Sequence, residues 1–233
     1  MAETFAQRAY DHIREKLLSG TLAPGQRLVN RTLAREIGVS AIPVREAISR
    51  LASEGLVSQV SGAGAYVRQP DRREVTELYG LREALETYGV VEAARYITEE
   101  ELHILQDICK AARKLSQELV HSRKPATAKN IARWLELERQ FHSLVIEAAR
   151  NRWLSKIVKD LRLLTQSFLP RGDDTSMIDA TATEATCAGH EALVAALEAR
   201  DGDQAQAIMS QHLRTGLKGF LGKSHNHAAV NHR

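Results

Sequence analysis

Apolar residues of this chain fall into two patterns that meet near residue 71. Before it, short groups at helical spacing are separated by glycine-bearing turns; after it, long stretches carry an apolar residue every three or four positions. Thr4 to Ser19 is amphipathic, with Phe5, Ala9, Ile13 and Leu17 at helical steps. Gly20-Thr21-Leu22-Ala23-Pro24-Gly25 follows as a turn. Asn30 is expected to cap a short helix, because its side-chain oxygen can accept from the free N–H groups of the first turn. Leu33, Ala34 and Ile37 mark the inward face of that helix, and Gly38 stops it, since glycine tolerates the left-handed conformation of many helix ends. Ser40 is expected to cap a second helix running to Glu54. Pro43 falls in its first turn, where no intrahelical N–H bond is lost. Val44, Ala47, Ile48 and Leu51 form its inward stripe; Ala41, Arg45 and Ser49 step along another face, with Ile42 beside them. Gly55 ends the helix. Leu56 to Val60 and Ala65 to Val67 flank Ser61-Gly62-Ala63-Gly64, the pattern of a hairpin with a glycine-rich turn.

Helix, tight turn, helix and hairpin, in that order, predict a winged helix-turn-helix over residues 1–70, a device that places one helix in a DNA groove. Arg45, near the start of the second helix, suits a bidentate bond to guanine in the major groove. Ser40 and the early backbone N–H groups suit a phosphate, Ile42 a thymine methyl, and Arg31 a phosphate or a base. Gly62 lets the hairpin approach the sugar-phosphate surface. A small helical domain with a solvated arginine is the plainer alternative, against which caps, turns and hairpin agree in one order. Charge adds a modest argument. Residues 1–70 hold nine Lys/Arg and six Asp/Glu, whereas the rest of the chain holds 23 of each, so the whole excess of +3 lies in the first segment. Positive charge there favours DNA through counterion release.

After residue 70 the fold class is all-α, which makes the whole chain mainly α. Helices are predicted over Arg72–Tyr96, Glu99–His121, Ala128–Ala149, Asn151–Phe168, Asp179–Arg200 and Gln204–Leu221. The breaks fall at Thr98-Glu99, Lys124-Pro125, Pro170-Arg171-Gly172-Asp173 and Asp201-Gly202-Asp203. Residues 71–221 thus form a helical domain, and the polar residues 222–233 are expected to be a flexible tail. No run approaches a membrane span, and Met1–Asp11 has no apolar stretch of the kind a secretory signal carries. Cys109 and Cys187 lack metal-type spacing, so the expectation is a reduced, cytoplasmic protein with no membrane partner.

The helical region carries one constellation with chemistry. Glu138 and His142, in LELERQFHSLVIEAA, lie one turn apart on one helix face, flanked by Leu137, Phe141, Leu144 and Val145. His190 sits among apolar residues in CAGHEALVAALEA, and His212 in AIMSQHLRTGL on the next helix. One carboxylate and three imidazoles from three helices would suit a divalent transition metal such as zinc, nickel or manganese. The alternative is four unrelated side chains, since nine histidines are scattered through the chain and spacing alone does not make three helices converge.

These segments together resemble the GntR family of bacterial transcription regulators, in the FadR-type branch with an FCD effector domain. The resemblance runs from Tyr10 to about Leu217. It rests on GTLAPGQRL, LAREIGVS, PVREAISRLASEGLV and GAGAYV, then on ELYGLREALE, LERQFHSLVIEAARN, the HEALVAAL helix and His212. It implies a homodimeric regulator whose second domain is a bundle of six or seven helices. It further implies a metal held by an acid and three histidines beside an organic-acid pocket, the acid being usually Asp but Glu138 here. The family's ligand-facing arginine falls on Arg82, where a guanidinium suits a carboxylate; without the resemblance, a helix-surface ion pair with a nearby acid is the simpler reading. Arg45 and Arg31 match DNA-contacting positions. The usual Ser-Arg-Thr-Pro-Val-Arg-Glu-Ala start of the recognition helix is Ser40-Ala41-Ile42-Pro43-Val44-Arg45-Glu46-Ala47 here, which implies an altered operator.

Three functions follow from this reading. The first is a DNA-binding regulator, in the usual logic a repressor, controlled by a small carboxylate bound near a divalent metal. The second is a metal-dependent enzyme acting on an organic acid, for which no separate acid–base constellation is legible. The third is a constitutive DNA-binding protein with a structural bundle.

Overall fold

The computed structural model describes residues 3–122, 125–167 and 180–230, the side chains of 180 and 223–230 excepted. Contacts divide the chain into two compact units, Met1–Asp71 with Leu163–Asp173 and Arg72–Arg162 with Asp174–Arg233.

The first unit contains α1 (Phe5–Leu18), β1 (Arg27–Leu28), α2 (Asn30–Ile37), α3 (Ala41–Ser53), β2 (Val57–Val60) and β3 (Gly64–Val67). Thr4 starts α1 by accepting from the Gln7 N–H. Ala9, Ile13 and Leu17 of α1, Leu33 of α2, and Val44, Ile48 and Leu51 of α3 close one core with Leu56 and Val67 of the hairpin. Phe5, expected on the inward stripe, is exposed instead, with the Arg8 guanidinium 5.2 Å from its ring centroid. Tyr10 donates to Glu54 Oε2 at 2.7 Å, and Arg50 covers the Tyr10 ring at 3.8 Å, so α1 and the end of α3 are tied by polar as well as apolar contacts.

Two local expectations change. The residue that caps α2 is Val29, with extended backbone; Asn30 is already helical and makes no cap. The reason is β1, which carries the chain straight into the helix. A two-residue strand has no alternation to read, and it exists because Arg27 and Leu28 pair with Tyr66 and Ala65 of β3 in a sheet of order β1-β3-β2. Ser40 does occupy the cap position of α3, but its hydroxyl makes no capping bond. Gly38 adopts the left-handed conformation at φ 74°, the turn between α2 and α3 that the sequence predicts.

The second unit has six helices among the described residues: α4 (Arg72–Tyr96), α5 (Glu99–Ser122), α6 (Ala128–Ala148), α7 (Arg152–Ser167), α8 (Ala180–Glu198) and α9 (Gly202–Val230). The end of α7, from Leu163, belongs to the first unit, where Leu163 and Leu164 pack on its core. Thr127 and Asn130 cap α6 reciprocally. α4 packs against α9 and α5 against α8. The main core gathers Val90, Ala93, Leu105, Phe141, Val145, Leu193, Leu197 and Met209 from α4, α5, α6, α8 and α9. Arg113 of α5 donates twice to Glu191 of α8, at 2.9 and 2.6 Å. Ser116 and Thr183 join the same helices through a buried hydroxyl pair at 2.8 Å. Gly89 lets α4 approach its neighbours: a Cβ there would stand 2.7 Å from Ile146 Cδ1 and 3.2 Å from Leu154 Cδ2.

α9 runs unbroken through Val230, past the end near Leu221 that the sequence predicts. No glycine or proline follows Gly222, so nothing in the backbone stops the helix. Lys124, Phe168, Asp179, residues 231–233 and the break expected at 170–173 lie outside the described residues. No helix among the described residues is long and apolar enough to cross a membrane.

Candidate DNA interface and metal centre

In the first unit, helix, Gly38 turn and helix bring Arg31, Ser40, Ile42, Arg45 and Ser49 to the surface, with Ala41 half-buried among them. Arg31 and Arg45 have no hydrogen-bond or ion-pair partner among the described residues, whereas Arg50 on the same helix is engaged by Glu54 and Gln7. The difference separates a structural arginine from two that are free for a partner. Ile42 is 58% exposed, an apolar branch that folding alone does not explain. Gly62 lies at φ 74°, and a Cβ added there would meet no other group within 4 Å, so the hairpin tip is open. Ser49 accepts from Gln59 Nε2 at 3.3 Å, which ties α3 to β2. The sequence reading missed Gln59, and no pattern marks it.

In the second unit, the four metal-type residues converge. Glu138 and His142 come from α6, His190 from α8 and His212 from α9, and one donor atom from each lies within 4.8 Å of the others. His142 Nε2 is 3.8 Å from Glu138 Oε2, and His190 Nδ1 is 3.6 Å from Glu138 Oε1. The three imidazole centroids are 4.9 to 5.1 Å apart. Phe141 forms a wall, its ring stacked on His190 at 3.9 Å and 12°. Both nitrogens of His142 and Nε2 of His190 are buried without a hydrogen-bond partner among the described residues. Buried polar atoms are rarely left so, and neutral imidazoles beside a carboxylate are the donor set of a transition ion. The residues fit the group.

Three more side chains complete the arrangement. Arg82 is buried and donates through Nε to Glu86 Oε1 at 2.7 Å, one turn along α4. Its guanidinium also lies over the Tyr79 ring at 4.8 Å. Arg162 of α7 donates to Glu86 Oε2 at 2.7 Å, and the same oxygen is 3.7 Å from His142 Nδ1. Arg82 is therefore the ion-paired residue the simpler reading described, but in the interior beside the histidines rather than on a helix surface. Glu86 and Arg162 escaped the sequence reading. A signal existed for Glu86, an acid four residues after Arg82 in the LREALE motif; Arg162 stands in a helix rich in Lys and Arg and looks solvated.

Burial sets the protonation of the cluster. It pushes the Glu138 carboxyl up to about 7. It holds His142 and His190 well below the usual imidazole range, and His212 down to about 4, with the Arg162 charge adding to each. Burial also raises Glu86, but the Arg162 and Arg82 guanidiniums outweigh it and keep that carboxyl below its ordinary range. The metal-free protein is expected to lose stability as pH falls from about 6.5 to 4. The three histidines have folded pKa values below their ordinary 6.5, so unfolding takes up protons and their contribution is lost on acidification. Glu138 acts oppositely, its folded pKa of about 7 lying above its ordinary 4.5, so its contribution fades as pH rises through 7. Three groups outweigh one. Urea midpoints at pH 7.5 and 5.0 on chelator-treated protein check this; equal midpoints would contradict buried neutral imidazoles.

Comparison with known proteins resolves the family. Residues 77–215 match the FCD domain, and residues 5–67 match the bacterial regulatory proteins of the gntR family. The chain belongs to the GntR family, with an FCD domain. The HTH-type transcriptional repressor RspR of Escherichia coli K12 is 27% identical to this GntR regulator over 208 residues, 89% of this chain and 85% of RspR. The gluconate operon transcriptional repressor of Bacillus subtilis is 28% identical over 168 residues, 72% of this chain and 64% of the repressor. Among solved structures, Escherichia coli McbR matches with a TM-score of 0.76 at 21% identity, covering 96% of this chain and all of McbR, which establishes a shared fold. The family and these relatives are transcription regulators rather than enzymes, so the GntR regulator's bundle is not assigned a turnover chemistry.

Proposed function

We propose that this GntR regulator is a repressor whose operator binding is controlled by a small organic acid, bound in the FCD domain beside a divalent transition ion. The observation that carries the reading is the convergence of Glu138, His142, His190 and His212 next to the buried Arg82–Glu86–Arg162 group. Glu138 in its ionised form and three neutral imidazoles would hold the ion, whether zinc, nickel or manganese. The ion, when bound, supplies a Lewis-acidic anchor for a carboxylate. Arg82 and Arg162 supply guanidinium donors beside it, suited to orienting an acid. Two relatives named as repressors support the direction of control.

The ligand regulates only if it binds two arrangements of the protein unequally. A homodimer gives those arrangements meaning, because two recognition helices must match two half-sites. Exposed large apolar side chains support the dimer: Leu81 and Tyr88 on α4, and Trp153 and Ile157 on α7. Control of an operator would require the protein to work in the cytoplasm. The test is metal analysis of protein purified without chelators, then thermal shifts and operator binding with a panel of small carboxylates. The expected result is an acid that stabilises the protein, weakens operator binding and binds less tightly once the metal is removed, while the acid tightens metal retention by the same factor. Operator binding insensitive to metals and acids would leave the bundle a structural module.

Arg45→Ala is expected to weaken specific operator binding by about 1–3 kcal/mol and relax preference at one base pair. Arg31→Ala should weaken binding more evenly across sequences if its contact is a phosphate. Both residues are exposed, so circular dichroism should not change. Unaltered operator affinity in Arg45→Ala would remove α3 from the groove.

A further inference from the structure

Glu86 sits at the junction of the buried polar groups in the second unit. It is fully buried on α4. Its two oxygens are held by different guanidiniums, Oε1 by Arg82 Nε and Oε2 by Arg162 Nη1, each at 2.7 Å. A carboxylate so held cannot rotate away. Its Oε2 also faces Nδ1 of His142 at 3.7 Å, while Nε2, on the other edge of that ring, faces Glu138 Oε2 at 3.8 Å. His142 is itself wholly buried, and neither ring nitrogen has a hydrogen bond among the described residues.

A neutral imidazole has one proton for two nitrogens. The nitrogen that keeps it cannot be a metal donor, so the choice of tautomer decides which edge is available. An ionised carboxylate facing one edge favours the proton on that edge. We propose that Glu86 is a positioning residue for the cluster: it selects the Nδ1–H tautomer of His142 and leaves Nε2 as the donor turned toward Glu138. Glu86 is not one of the four ligands. It acts through His142, and a small closing movement turns the 3.7 Å approach into a hydrogen bond in which Nδ1–H donates. Arg82 and Arg162 thus serve the ligand set as well as the effector, because they hold the carboxylate that orients a ligand. The inference rests on the metal reading above, to which it adds the control of one donor.

The test combines ring nitrogen NMR with zinc titration on the full chain. The protein is labelled with ¹⁵N-histidine, and His142 is assigned by its loss in His142→Gln. Wild type without metal should show His142 protonated at Nδ1. In Glu86→Gln, whose amide can accept or donate, the tautomers should mix, and the zinc Kd should rise about 10- to 100-fold. Glu86 acting only as a counter-ion for two arginines would change stability and leave the tautomer alone. A wild-type His142 protonated at Nε2 overturns the proposal without any variant, so a Glu86→Gln protein that fails to fold does not shelter it. A folded Glu86→Gln with a zinc Kd within about threefold of wild type also overturns it. Failure of the metal reading is visible separately, as wild type that takes up no zinc, nickel or manganese, and the metal-free tautomer then still reports on Glu86.

Discussion

His190→Ala and His212→Ala are each expected to lower metal affinity by on the order of a hundredfold or more. Four-ligand zinc sites in small domains are worth about 10–16 kcal/mol at neutral pH, so one donor of four carries roughly 3 kcal/mol, about two decades in Kd. The geometry suggests that the loss is not recovered. His190 lies on α8 and His212 on α9, each the single donor of its helix, while α6 supplies Glu138 and His142 together. Water can replace an imidazole in the shell, but it cannot tie the helix to the ion. Metal content after dialysis, measured with zinc, nickel and manganese in turn, reads the effect. His103→Ala, at an exposed position on α5, is the matched control and should retain the ion. Acid should release the ion from wild type as well, since protons compete for the same nitrogens. If both cluster variants hold as much metal as wild type, the ion is elsewhere and the cluster is a buried group of histidines.

Why the sequence announced some of this and not the rest follows from what each kind of signal encodes. Helix positions in the second unit are legible because α4 to α9 bury continuous apolar stripes and are interrupted by recognisable punctuation, such as Thr98 or Asp201-Gly202. The turn at Gly38 is legible because only a left-handed residue fits there. β1 is illegible because its two residues are strand only through their partners in β3. The end of α9 is misjudged for a related reason: polarity removes the apolar stripe by which a helix is recognised, not the backbone's ability to continue one. At the candidate metal centre, Glu138 and His142 are visible as a pair because they share one turn of α6. That α8 and α9 bring His190 and His212 to the same point is a tertiary fact, suggested by family resemblance and invisible to spacing. Arg162 is further from reach. A lone arginine among Lys156, Lys159 and Asp160 has the composition of a solvated face, and only the position of Glu86 on another helix turns it inward.

Phe141→Ala is expected to be the most costly single truncation in the second unit, and to damage the candidate metal centre at the same time. Phe141 is fully buried and belongs to the main core with Leu105, Leu193, Leu197 and Met209. Deleting a buried phenyl ring typically costs about 3–5 kcal/mol, part of it transfer free energy and part the cavity left behind. A loss of that size is a large share of the ~5–15 kcal/mol by which ordinary domains are stable. The second effect comes from position. The phenyl ring is stacked on His190 at 3.9 Å and meets His142 edge-on at 5.4 Å, so it is the wall that keeps two imidazoles from turning. Without it, His190 gains rotational freedom that ion binding must then remove. Leu105→Ala separates the two effects. It cuts an equally buried side chain from the same core and makes no ring contact with the histidines, so it should cost about 2–5 kcal/mol and leave zinc affinity unchanged. Urea midpoints and zinc titration on both variants make the comparison. Equal zinc affinity in Phe141→Ala and Leu105→Ala would show that the ring only fills space. A weaker Phe141→Ala at similar stability would show that the core of this bundle also holds the donors in place.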